Sequence, residues 1–164
     1  MRLFLGSFAK LKHYGLIKNR FSFMQAKWVE EHNLHLTYLF LGERAEPYTI
    51  IDKLERIEYE TRDIPLFDLG FFGHPPKVLF IKVLDEEVTK LHTQIASRLH
   101  ITSPQPFVPH VTLCRIKRVN GFSRFIETLK EFENRQIGIL HQKLHLIESI
   151  LTPRGPKYKI IHTF

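Results

Sequence analysis

The sequence predicts an α+β fold, organised as a bilobal pseudo-symmetric duplication. Two mainly antiparallel sheets would face a central cleft, with helices on the outside. Three observations carry this expectation. Stretches of alternating apolar residues and stretches with helical apolar spacing are mixed without strict alternation. Their order can be taken as one unit written twice: strand, helix, two strands, helix, then strand, helix, two strands. Finally, a His-apolar-Thr-apolar pattern opens a strand in each half, as "HLTY" at 35–38 and "HVTL" at 110–113.

Each element has its own local reason. Residues 1–8 alternate as a strand, and with no small-residue cleavage site after them they do not resemble a leader peptide. Residues 9–26 are basic and aromatic without clear periodicity and receive no assignment. Residues 27–29 look extended, 30–33 look like a turn, and 34–41 form an apolar strand. Pro47 suits the first turn of a helix that continues through Ile50, Ile51, Leu54 and Ile57. Residues 65–73 and 77–83 are strands around a "HPP" turn. Asp85 is a natural N-cap, with Glu86 and Glu87 at the positive end of the dipole and Val88, Leu91, Ile95 and Leu99 as the buried stripe. Three prolines in 103–109 exclude helix and central strand there. A strand at 110–117, a helix at 122–133, and strands at 138–149 and 157–163 complete the chain. At 164 residues the size fits one domain spanning 1–164, able to bury roughly two-thirds of its unfolded surface.

Side chains two apart on a strand share a face, so His35 and Thr37 point together while Leu36 and Tyr38 point inward. The same holds for His110 and Thr112 against Val111 and Leu113. A third triplet, His100-Ile101-Thr102, runs into Ser103-Pro104 and is expected to be a chance match. Each true motif therefore delivers one imidazole and one hydroxyl. Near neutral pH, one neutral imidazole can take a proton while one imidazolium gives one, which suits an in-line displacement at phosphorus. The threonine hydroxyls could donate to the non-bridging oxygens. No clustered carboxylates, HExxH or paired-cysteine motif is present, so no metal and no cofactor is expected. His32 and His35 with Glu31 make only a weak zinc set.

The formal net charge of +7 favours polyanionic partners, nucleic acid first. A lone cysteine, Cys114, fits a reducing cytoplasm, and no apolar run approaches the length of a membrane span. With 14 phenylalanines, core packing is the default for each. Among Phe71, Phe72 and Phe107, Phe107 is the best placed to stack on a base.

The two motifs resemble those of the 2H phosphoesterases. The flanking stretches "MRLFLGSF", "KWVEEHNLHLTYLFLGE", "PQPFVPHVTLCRIK" and "LIESILTPRGPKYKIIHTF" look like the bacterial and archaeal RNA 2′,3′-cyclic phosphodiesterase branch. The resemblance implies a bilobal α+β fold and hydrolysis of an RNA terminal 2′,3′-cyclic phosphate to a 2′-phosphate. It implies His35 as proton donor, His110 as proton acceptor, and Thr37 and Thr112 as phosphate ligands. It also matches Arg115, five residues after His110, to a phosphate-binding arginine. Strand alternation objects, since an odd offset turns Arg115 away unless a bulge intervenes. Expected partners are RNA with a cyclic end and small cyclic nucleotides, met by a cytoplasmic monomer. The alternatives are 2′–5′ RNA ligation by the same residues and a non-catalytic RNA-binding module.

Overall fold

The computed structural model describes residues 1–43 and 46–164. Ten strands and four α-helices follow one another as β1 (Arg2–Leu11), α1 (Tyr14–Arg20), β2 (Met24–Trp28), β3 (His35–Glu43), α2 (Pro47–Lys53), β4 (Arg62–Phe67), β5 (Leu69–Phe72), β6 (Val78–Lys82), α3 (Glu86–Leu99), β7 (His110–Val119), α4 (Phe122–Lys130), β8 (Gln136–Gln142), β9 (His145–Thr152) and β10 (Gly155–Thr163). All strand pairs described are antiparallel. The fold is α+β, as the element pattern predicts.

The two expected sheets are joined rather than separate. The main path runs β10-β9-β1-β3-β7-β6-β5, with β3 and β7 at its middle. The far end of β1 leaves this path: Ala9, Lys10 and Leu11 pair with β8, which in turn pairs with β4. Strands β3 and β7 meet at one register position, Leu36 opposite Val111. Those are the residues between His and Thr in each motif, so the pseudo-symmetry passes through the two motifs themselves.

The unassigned stretch 9–26 resolves into the end of β1, α1 and the start of β2. Helix α1 is short and uncapped by any side chain, which explains its weak signal. It is anchored by buried Tyr14 and Ile17, and the Tyr14 hydroxyl donates to the Val29 carbonyl at 2.7 Å. The expected strand 65–73 is interrupted at Asp68, whose φ of 62° turns the chain between β4 and β5. The expected strand 138–149 is likewise two strands. It breaks at Lys143, where the Lys143 amide bonds the His141 carbonyl at 2.7 Å, and the chain crosses from β4's side to β10's. Helix α2 stops at Lys53 and α4 at Lys130, each a few residues short of the apolar spacing that suggested them.

Helix α3 behaves as its sequence dictates. The Asp85 carboxylate accepts from the Glu87 and Val88 amides at 3.0 and 3.3 Å, and it also pairs with Arg62. Val88, Leu91, Ile95 and Leu99 are buried, contributing about 1.5–3 kcal/mol each before chain entropy is set against them. His100 closes the helix in a left-handed conformation. Residues 103–109 carry neither helix nor strand, as their prolines require.

Candidate active site

The two motifs line one cleft of about 710 Å³. Antiparallel pairing about Leu36 and Val111 sets His35 beside Thr112 and Thr37 beside His110, all four on the cleft face. Leu36, Tyr38, Val111 and Leu113 are buried, as the alternation requires.

Both imidazoles are anchored in the same way. His35 Nδ1 lies 2.7 Å from the Asn33 carbonyl, and His110 Nδ1 lies 2.6 Å from the Val108 carbonyl. A carbonyl can only accept, so each Nδ1 carries the proton and donates, leaving each Nε2 for the cleft. Two aromatic rings wall each imidazole. Phe4 (4.9 Å) and Tyr158 (5.1 Å, edge-on) flank His35, while Phe72 (5.1 Å, edge-on) and Phe80 (5.2 Å) flank His110. Burial pushes the His35 imidazolium below its ordinary range; the Asn33 carbonyl opposes this and the nearby His110 adds to it. Neither threonine hydroxyl has a protein partner among the described residues, so both remain available to a ligand.

Arg115 shares this face, and a bulge explains why the odd offset does not turn it away. Thr112 pairs with Phe80 but Cys114 pairs with Leu79, so Leu113 is an extra residue in β7. Leu113 and Cys114 both point into the core, the alternation skips a step, and Arg115 returns to the cleft. Arg115 and Tyr158 line the same cleft, and the arginine's charge opposes the burial that raises the Tyr158 phenol. Strand β3 carries the same device. Thr37 pairs with Gly6 and Leu39 with Leu5, so Tyr38 is extra and the residue five past His35 returns to the cleft. That residue is Phe40, 75% exposed. The duplicated motif thus presents a cation on one side and an open aromatic ring on the other.

Of the proposed stacking residues, Phe107 lines the cleft but gives one face to His92, stacked 3.9 Å away and nearly parallel. His92 in turn bonds the Tyr38 carbonyl at 2.8 Å. Phe72 also lines the cleft. Phe71 does not; it packs edge-on against Phe125. His100, capping α3, is absent from the cleft wall, consistent with a chance triplet. Among the described residues no group of three or more His, Cys, Asp or Glu side chains could hold a metal ion. Sequence reasoning passed over Phe40, Tyr158, Lys27 and Arg154, all on the cleft wall. Aligning the two motifs on each other would have exposed Phe40, since it stands where Arg115 stands.

A curled, mostly antiparallel sheet with four helices is an architecture seen in solved proteins. The crystal structure of TT0787 of Thermus thermophilus matches all of this chain and 97% of its own, with a TM-score of 0.70 and 26% identity. E. coli LigT complexed with 3′-AMP matches 99% of this chain and 96% of its own, with a TM-score of 0.73 and, at 19% identity, a likeness of fold. By sequence, the RNA 2′,3′-cyclic phosphodiesterase of Aeropyrum pernix is 33% identical over 150 residues, 83% of this chain and 84% of its own. That of Archaeoglobus fulgidus is 32% identical over 147 residues, 84% and 82% of the two chains. Residues 18–148 match the model of the 2′–5′ RNA ligase superfamily, and the chain belongs to that family.

Proposed function

We propose that this protein hydrolyses the 2′,3′-cyclic phosphate at the end of an RNA, leaving a 2′-phosphate, by acid–base catalysis that needs no metal. The observation that carries the reading is the pair of imidazoles with Nδ1 fixed to backbone carbonyls and Nε2 free on one cleft wall. Relatives about 30% identical over most of their length carry the name of this activity.

In the proposed reaction His110 Nε2 takes a proton from water as the water oxygen bonds to phosphorus. The bond from phosphorus to O3′ breaks, and His35 Nε2–H gives its proton to that oxygen. His110 ends protonated and His35 neutral, and exchange with solvent resets both. Thr37, Thr112 and Arg115 donate to the non-bridging oxygens, where charge builds. The donor role of His35 follows the family resemblance, and burial by itself works against it, because burial favours the neutral ring. The negative charge of the bound phosphodiester offsets that effect, so His35 acquires its proton together with substrate.

The test is product analysis with an oligonucleotide ending in a 2′,3′-cyclic phosphate, in the presence of EDTA. A 2′-phosphate end at undiminished rate is the expected outcome. A 3′-phosphate end, or a rate abolished by EDTA and restored by one divalent ion, would contradict the mechanism. The family name favours a second reading, in which an RNA 5′-hydroxyl replaces water and a 2′–5′ linkage forms. Comparing hydrolysis with joining at low concentrations of RNA ends separates the two.

A further inference from the structure

We propose that the outward face of the β2–β7 ribbon is the track for the RNA chain that leads to the cyclic end. This rests on the hydrolytic reading of the cleft and adds where the upstream phosphates are held. Strand β2 is a branch off the main path of the sheet; it pairs with β7 beyond the second motif and extends the cleft floor on the Arg115 side only. Lys27 lies directly opposite Arg115 and lines the same cleft. Further along, Gln25 lies opposite Arg118, and both are exposed.

The two strands keep these residues on one face by a second irregularity. Ala26 pairs with Ile116 but Gln25 pairs with Arg118, so Lys117 is an extra residue and the alternation skips again. Met24 and Ile116 stay buried on the other face. Arg115, Lys27 and Arg118 therefore form one positive stripe that starts at the cleft wall and runs about 7 Å along the strands, two steps at ~3.4 Å per residue. Among the described residues none of the three has a carboxylate partner, and Glu30, just beyond β2, is turned to His32 at 3.4 Å.

Like charges directly opposite on paired strands destabilise a sheet. An unrelieved Lys27–Arg115 pair is therefore a burden on the fold unless an anion bridges it. A phosphodiester backbone, entering the cleft with its last phosphate at Thr37 and Thr112, supplies such an anion at each step. Arg154, on the β9–β10 turn, faces the same cleft from the other lip.

The experiment measures the affinity of a single-stranded RNA oligonucleotide with a 3′-terminal phosphate, by fluorescence anisotropy over a salt series. It compares the parent, Arg118→Gln, the double variant Lys27→Gln/Arg118→Gln, and a control, Lys53→Gln/Lys130→Gln, that removes the same charge from the exposed ends of α2 and α4. Each lost phosphate contact lowers the slope of log affinity against log salt by ~0.7 for a single strand, so the double variant should lose about 1.4 and Arg118→Gln about half of that. The ratio of kcat/KM for a cyclic-ended oligonucleotide to that for a cyclic mononucleotide should fall in the double variant. A slope equal to the parent's, or an equal loss in the control, overturns the track. A parent that binds the oligonucleotide with the expected slopes yet hydrolyses no cyclic end defeats the hydrolytic reading and leaves the track standing.

Discussion

Substituting Gly6 by alanine tests whether the spacing between β1 and β3 sets the geometry of the first motif. Gly6 pairs with Thr37, and a Cβ there would stand 2.7 Å from the Leu36 carbonyl oxygen and 3.1 Å from the Phe4 ring. Backbone cannot swing aside as a flexible side chain can, so the strands must part by a few tenths of an ångström. Overpacking of this kind costs about 1–3 kcal/mol. At about 2–4 °C per kcal/mol for a chain of this size, the melting temperature should fall by about 2–12 °C. The displaced carbonyl lies between His35 and Thr37, so the shift enters the geometry of the proposed catalytic pair. With a 1 Å misplacement worth about 10²-fold, a few tenths should lower kcat/KM on a cyclic mononucleotide by about 3–10-fold. Gly15→Ala is the companion: nothing lies within 4 Å of its Cβ, and in the first turn of α1 alanine should stabilise by about 0.5–1 kcal/mol without altering turnover. Thermal unfolding followed by circular dichroism, with an initial-rate assay, gives both quantities. A Gly6→Ala protein that melts with the parent and turns over at the parent's rate would refute the reasoning.

His35→Ala and His110→Ala should each lower turnover by about 10²–10⁴ in folded protein, whereas His100→Ala should leave the rate intact; a deep loss at His100 would undo the assignment of the motifs. Thr37→Val and Thr112→Val should each cost about 1–3 kcal/mol of transition-state stabilisation, read from kcat/KM. Stability should depend on pH through His35. Its folded value is depressed below 6.5, so below that pH the unfolded chain binds a proton that the folded protein declines. Stability is then full above pH 6.5 and falls as pH drops through the folded value. His35→Gln should flatten the melting-temperature profile between pH 7 and 5, and an unchanged profile would count against a buried neutral ring.

Much of the site was legible because its signal is local. Two residues apart on a strand is a fixed geometry, and the apolar residues after each threonine marked the strands. Asp85 and the stripe of α3 were legible for the same reason. What escaped was non-local. The Asp68 turn and the break at Lys143 carry no glycine or proline, and they exist because the chain must pass between parts of the sheet. The β7 bulge is invisible in the letters "HVTLCR", since apolar Leu113 and Cys114 in succession fit a buried strand of either parity. The pairing with β6 decides the matter, and with it the direction of Arg115. Phe40 was hidden by composition: in a chain rich in phenylalanine, only the comparison of one motif with the other separates a cleft residue from a core one.

The bulge that returns Arg115 to the cleft has a second effect, on the neighbour it turns inward. Cys114, the single cysteine of the chain, is sealed in the core, and burial pushes its thiol up to about 12. Almost no thiolate exists at neutral pH, and no reagent reaches the sulfur while β7 is in place. The protein therefore contains its own clock. The rate at which Cys114 is alkylated counts how often the strand bearing the second histidine comes away from its neighbours. A phosphate analogue that ties the two motifs together slows that clock in proportion to its occupancy, reporting binding from behind the site without a label in the cleft.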